Sequence, residues 1–158
     1  MTREEYPLRA ALELRERELD AAKAALAAAR HAEVAQEALL EAAEGNVRSH
    51  AALIMSTRAA QKHRGPARAA ELGREMDYDL RLRTVRAELA TAAETQREHL
   101  AEAKKQVATR MNELARARAD HEAVLKHQAR WRAEQATIAE RRAEAEDDDQ
   151  NSVRFGRK

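Results

Sequence analysis

Large apolar residues recur every seven positions through the first third of the chain. The first row contains Leu12, Leu19, Leu26, Leu40, Val47 and Ile54, with Glu33 at the remaining position. A second row at the same spacing contains Leu8, Arg15, Ala22, Ala29, Gln36, Ala43 and His50. Because the two rows alternate by four and three residues, both lie on one side of a helix that winds around a partner. The pattern therefore predicts one helix of a coiled coil.

Apolar spacing resumes after Asp79 with Leu82, Val85 and Leu89 and continues to Ile138. Steps of four follow one another at 85-89-93 and at 103-107-111, which predicts local relaxation of the left-handed winding. The residues expected in the seam, meaning the rows where the helices face each other, are Leu19, Leu26, Leu40, Val47, Ile54, Leu89, Leu100, Val107, Leu114 and Leu125.

Glycine and proline give the predicted boundaries of one coiled-coil domain, residues 6–146. Pro7 suits the first turn of a helix, and Gly65 followed by Pro66 is a stop signal. Gly45 alone costs too little to end the first helix. We predict helix 1 over about 6–63, a connector over 64–77, helix 2 over about 78–146 and a disordered tail over 147–158. Whether helix 2 begins at Pro66 or near Asp77 stays open.

The fold class predicted from these elements is all-α, a long two-helix antiparallel coiled-coil hairpin. Folding back would set Leu12 near residues 128–132 and Ile54 near residues 85–89. Alanine at many seam positions lets the backbones approach but buries little area, while ordering each residue costs about 1–2 kcal/mol. An isolated hairpin of this kind should be marginally stable, which favours a part stabilised by partners or a homo-oligomer.

Composition supports long helices and narrows the class of protein. The chain of 158 residues is 44% hydrophobic and 36% charged with only 3% aromatic residues, a balance typical of helical rods. No run reaches the roughly 18 apolar residues of a membrane span, and there is no signal-peptide pattern, so we expect a cytoplasmic protein without membrane insertion. The absence of Cys fits a reducing compartment. A net charge of +1 argues against nucleic acid as the partner.

Residues that could carry chemistry show no catalytic or ligand spacing. His121 and His127 are six apart, which places them on different faces of a helix, and there is no H-E-x-x-H motif. We therefore expect no metal, no cofactor and no enzymatic activity. Trp131 is the only tryptophan. It could cap the end of the hairpin against Leu8 or Leu12, or it could be an anchor that enters a pocket of a partner.

The N-terminal stretch 6–22, YPLRAALELRERELDAA, resembles the FliJ/YscO-like (SctO) stalk proteins of bacterial type III secretion systems, including their plant-pathogen relatives. The chain length, the two-helix plan and a tryptophan late in the second helix are similar to that group. The connector with Gly65, Pro66 and Gly73, and the acidic run 147–149, depart from any pattern we can match to it.

The resemblance implies a mechanical, non-catalytic function in protein export. Stalk proteins of this group sit in the central pore of the hexameric secretion ATPase and link it to the cytoplasmic domain of the export gate, and some bind export chaperones. Carried over by position, Tyr6, Leu8, Leu12 and Trp131 would bind the ATPase, and the connector would point to the gate. The alternative is a self-assembling structural coiled coil that acts as a spacer or scaffold.

Overall fold

The computed structural model describes residues 6–65 and 68–155, and for 150–155 it describes the backbone alone. Two helices account for almost all of these residues: α1, Arg9–Lys62, and α2, Ala69–Phe155. The part of the chain so described contains no strand. The predicted all-α class is confirmed.

α1 begins just after the proline. The backbone N–H of Arg9 donates to the carbonyl of Tyr6 at 3.1 Å, so Pro7 lies in the turn that precedes the helix. α1 then passes through Gly45 without a break and ends at Lys62. One glycine costs a helix about 1 kcal/mol. That cost is too small to interrupt a helix whose apolar rows continue on both sides.

α2 begins at Ala69, about nine residues before the predicted start, so the prediction of a connector over 64–77 is wrong. The backbone N–H of Arg68 donates to the carboxylate of Glu71 at 3.1 Å, and the N–H of Glu71 donates back to the carbonyl of Arg68 at 2.9 Å. This pairing supplies half of a capping box at the helix start. Arg64 also forms an ion pair with Glu75 across the connector. Pro66, the other candidate start, lies outside the described residues.

The C-terminal end of α2 overlaps the predicted tail. The helix is continuous to Phe155, so the first part of the tail predicted over 147–158 belongs to its last turns. Residues 156–158 lie outside the described residues.

The chain divides into two compact units. Unit 1 contains the residues up to Ala24 and from Asn112 onward, and unit 2 contains Ala25–Met111. Each unit contains a segment of both helices.

In unit 2 the two helical segments are antiparallel. The contacts that join them are Glu37–Lys104 at 3.9 Å, Glu44–Arg97 at 2.8 Å, His50–Leu82 at 2.8 Å and Arg58–Asp79 at 3.7 Å. Residue numbers rise along α1 as they fall along α2. The buried side chains of this unit are Leu26, Ile54, Leu82 and Ala93.

In unit 1 the helical segments are also antiparallel. Arg15 pairs with Asp120 at 3.2 Å, and Tyr6, before α1, contacts His127. Tyr6 and Leu114 are the buried residues of this unit. The described part of the chain has no side chain that is fully enclosed, which agrees with a thin pair of helices.

The pairing register differs from the predicted one by about one turn near Leu12 and near Ile54, whereas the contacts Glu37–Lys104 and Glu44–Arg97 agree with it. Leu12 lies between Tyr6 and Arg15, whose partners are residues 127 and 120, and not opposite 128–132. Ile54 lies between His50 and Arg58, whose partners are Leu82 and Asp79, and not opposite 85–89. The early start of α2 moves the point where the chain turns back toward the N-terminus, which accounts for the shift near Ile54.

From Leu89 onward the facing side of α2 alternates steps of four and three residues, so the predicted consecutive steps of four are wrong. Val85 and Met111 are exposed, and Arg110 is half-buried in the place predicted for Met111. Leu125 is likewise exposed, while its neighbour Val124 is half-buried. Arginine can occupy such a position because its aliphatic stem covers apolar surface while its charged end reaches water.

The other predicted seam residues lie on the facing sides. Leu26, Ile54 and Leu114 are buried, and the half-buried ones are Leu19, Leu40, Val47, Leu89, Leu100 and Val107. Polar residues interrupt these rows. The side-chain oxygens of Gln36 and Gln96 are buried without a hydrogen-bond partner. Each unpaired buried polar group costs about 1–3 kcal/mol, which further lowers the stability of a thin core.

Gly73 lies inside α2, and a Cβ added there would meet no atom within 4 Å. We expect Gly73→Ala to raise the free energy of unfolding by about 0.5–1 kcal/mol, because alanine loses less backbone entropy in a helix. Thermal unfolding followed by circular dichroism measures the change. The reverse substitution at an exposed helical site, Ala87→Gly, should lower stability by a similar amount. A destabilising Gly73→Ala would show that residue 73 is not helical.

Candidate partner-binding site

An aromatic cluster joins the segment before α1 to the second half of α2. The ring of Tyr6 lies 5.5 Å from the ring of Trp131 at an interplanar angle of 59°, and 5.8 Å from the ring of His127 at 48°. The Tyr6 hydroxyl and Nδ1 of His127 are 2.9 Å apart and share a hydrogen bond. His127 and Trp131 are one turn apart, which places both side chains on the same face of α2.

The cluster fixes a non-helical segment onto α2. Tyr6 is only 8% exposed. A tilted aromatic pair contributes about 0.5–1.5 kcal/mol beyond the area it buries, and a neutral hydrogen bond about 1 kcal/mol. These contributions are large for a segment that has no helical hydrogen bonds of its own beyond the turn at Tyr6.

Of the four residues predicted to bind the partner, the structure brings two into direct contact. Tyr6 packs against Trp131, Leu12 is half-buried, and Leu8 is exposed. The sequence predicted that Trp131 could cap the end of the hairpin against Leu8 or Leu12. In the structure the ring of Tyr6 lies against Trp131. Trp131 remains half-buried, so part of its indole is accessible to another molecule.

His127 also belongs to the cluster, although it was not among the residues predicted to bind the partner. Its position four residues before Trp131 indicates that the two side chains are neighbours, since residues at that spacing lie side by side on a helix surface. The pairing with Tyr6 depends on the register between the helices, which the sequence alone placed about one turn away. Among the described residues there is no group of three His, Cys, Asp or Glu that could hold a metal ion.

Charged pairs lie beside the cluster in unit 1. Arg15 contacts Glu18 at 2.7 Å and Asp120 at 3.2 Å, and the hydrogen bond with Glu18, followed by the negative charges of Glu18 and Asp120, raises the pKa of Arg15. On α2 the hydrogen bond from Lys126 lowers the pKa of Glu122. These groups are in contact with solvent, so each pair contributes little to stability. Their effect is to keep the surroundings of the cluster charged and hydrated.

Comparison with family models, curated proteins and solved structures finds no match to this chain. In the part of the chain that the structure describes, neither helix is long and apolar enough to cross a membrane.

Proposed function

We propose that this chain is a non-catalytic central-stalk component of a type III secretion system, at the cytoplasmic face of the apparatus. In this proposal α1 and α2 form an antiparallel coiled-coil hairpin. It binds the hexameric secretion ATPase, links it to the cytoplasmic domain of the export gate, and so supports protein export. Export chaperones are further candidate partners.

The observation that carries the proposal is the half-buried Trp131 held by Tyr6 at the start of α1. A single large aromatic on a thin helical pair is a suitable anchor, because binding energy at interfaces concentrates in a few residues of this type. The contact with Tyr6 keeps the indole in one orientation, which lowers the entropy lost on binding. The resemblance of residues 6–22 to the stalk proteins points to the ATPase as the partner.

Pull-down of the full chain by the hexameric secretion ATPase tests the proposal. We expect Trp131→Ala to weaken retention at least tenfold, because truncating an interfacial anchor costs about 2 kcal/mol or more. Leu8→Asp should weaken it as well, because Leu8 is exposed beside the cluster. Circular dichroism must show that both variants keep their helicity.

A matched control comes from the part of α2 that lies in unit 2. Tyr78 is an exposed aromatic in unit 2, and Tyr78→Ala should leave ATPase binding unchanged. Full retention of both Trp131→Ala and Leu8→Asp would overturn the assignment of unit 1 to the ATPase. No binding by the unsubstituted chain would overturn the stalk proposal itself.

The alternative class is a structural scaffold, which the sparse core and the exposed apolar side chains also favour. Sedimentation at several protein concentrations separates the two. A stalk is expected to be a monomer or a weak equilibrium, whereas a scaffold is expected to be an oligomer of fixed size at all concentrations.

A further inference from the structure

A histidine occupies the seam of unit 1. His121 lies in the facing row of α2, and its side chain is 19% exposed. Nε2 of the imidazole is buried and has no hydrogen-bond partner among the described residues. A buried polar atom of this kind lowers stability, because it has lost its bonds to water and gained none in return. The seam therefore contains an incomplete polar contact at this position.

A carboxylate of the opposite helix lies next to this nitrogen. Oε1 of Glu16, on α1, is 3.9 Å from Nε2 of His121, which is close enough for an ion pair but too long for a hydrogen bond. The Glu16 side chain is 56% exposed, so it has room to close a gap of about 1 Å. Glu13 and Asp20, one turn away on either side of Glu16, already form ion pairs with basic residues of α1. Glu16 is therefore the carboxylate on this side of α1 that faces His121.

The other charged groups around His121 oppose a positive charge there only weakly. Arg15 faces it from α1, but the guanidinium is bound to two carboxylates, at 2.7 and 3.2 Å, which offset its charge. On α2, the acidic residues Asp120 and Glu122 adjoin His121 in sequence, and Arg118 lies one turn before it. Arg118 is exposed, so water and salt screen its repulsion. The site can therefore accept a proton on the imidazole.

We propose that protonation of His121 completes an ion pair with Glu16 and so tightens the pairing of α1 with α2 in unit 1 as the pH falls. A neutral imidazole carries one N–H, whereas the charged form carries an N–H on both nitrogens, so Nε2 then donates to the carboxylate in a charge-assisted bond. Histidine is the side chain whose charge changes between about pH 5 and 8. The added stability is present at the acidic end of that range and is lost as the pH rises and the proton leaves.

The same unit contains the aromatic cluster, which supplies a local readout. Trp131 is the only tryptophan and belongs to unit 1, so its emission follows the unfolding of this unit. A second histidine of the unit, His127, already shares a hydrogen bond with Tyr6 at 2.9 Å. A test must therefore separate the contribution of His121 from that of His127. The inference concerns the pairing of the helices and does not depend on which partner Trp131 binds.

Thermal unfolding of the full chain, followed by the emission of Trp131 at pH 8 and at pH 6, tests the proposal. The quantity compared between variants is the rise in Tm from pH 8 to pH 6. We expect Glu16→Gln to reduce this rise by about 2 °C, a modest effect because the pair is partly exposed. Glu13→Gln, the same substitution one turn earlier on α1, is the matched control and should keep the rise of the unsubstituted chain. An equal rise in Glu16→Gln and in the unsubstituted chain would overturn the proposal.

Replacing His121 with leucine removes the titrating group and leaves an apolar side chain in the seam. We expect His121→Leu to raise Tm at pH 8, where the neutral imidazole leaves Nε2 unpaired, and to reduce the rise from pH 8 to pH 6 by as much as Glu16→Gln does. His99→Leu, at an exposed position of α2 in unit 2, is the matched control and should leave the rise unchanged. If His121→Leu keeps the full rise, another group carries the pH dependence and the proposed ion pair with Glu16 is wrong.

Discussion

Replacing Ile54 with aspartate is expected to unfold the helical pair of unit 2. Ile54 is 5% exposed and is the most buried aliphatic residue described in α1. Truncating a buried isoleucine costs about 2–5 kcal/mol, and a carboxylate left without a partner in the seam adds to that cost. Domains have total stabilities of about 5–15 kcal/mol, and this thin core belongs at the lower end. Circular dichroism at 222 nm and urea titration should therefore show a large loss of helix and an early midpoint.

The neighbouring residue is the control for this prediction. Met55 is 73% exposed, so Met55→Asp introduces the same charge one position along the helix without removing buried surface. We expect its effect on the free energy of unfolding to stay within about 0.5–1 kcal/mol. Similar effects of the two substitutions would mean that the buried row of α1 does not hold the helices together.

Replacing Tyr6 with alanine is expected to release the segment before α1 from α2. The substitution removes an almost fully buried ring and its hydrogen bond to His127, at a cost of about 2–4 kcal/mol. Trp131 is the only tryptophan, so tryptophan fluorescence reports on the surroundings of this one indole. We expect emission to shift to longer wavelength as water replaces the tyrosine ring, with a more readily quenched indole.

Tyr6→Phe separates the ring contact from the hydrogen bond. It keeps the aromatic packing on Trp131 and removes only the hydroxyl, so emission should stay close to that of the unsubstituted chain while stability falls by about 1 kcal/mol. If Tyr6→Ala leaves the emission maximum unchanged, Tyr6 does not cover Trp131.

The seven-residue spacing predicted the element type and the facing side of α1 because six of the seven positions in its first row, from Leu12 to Ile54, are branched aliphatic residues. On α2 the choice was ambiguous where two candidates adjoin. At 124–125 both residues are apolar, and at 110–111 the half-buried residue is Arg110 while Met111 is exposed. A pattern that classifies residues as apolar or polar selects Leu125 and Met111 and misses Arg110.

The start of α2 was missed for a different reason. Asp77 and Asp79 have the side chain that usually caps the start of a helix, and they therefore predicted a later start. In the structure the cap contact runs from the backbone of Arg68 to Glu71. The residues of the candidate site could be predicted from the sequence, but their contacts could not. Tyr6 and Trp131 could be singled out as rare aromatics, but their contact with His127 depends on the local pairing register between the two helices.

The hydrogen bond between His50 and α2 has a mechanical consequence. Nε2 of His50 donates to the carbonyl oxygen of Leu82 at 2.8 Å. A repeat of seven residues offers nearly equivalent pairings when one helix slides along the other by a heptad, and small alanine side chains resist such slippage weakly. The hydrogen bond of His50 and the ion pair between Arg58 and Asp79 would both have to break before one helix could slide along the other. A force applied lengthwise to unit 2 would therefore act on these polar contacts as well as on the apolar layers.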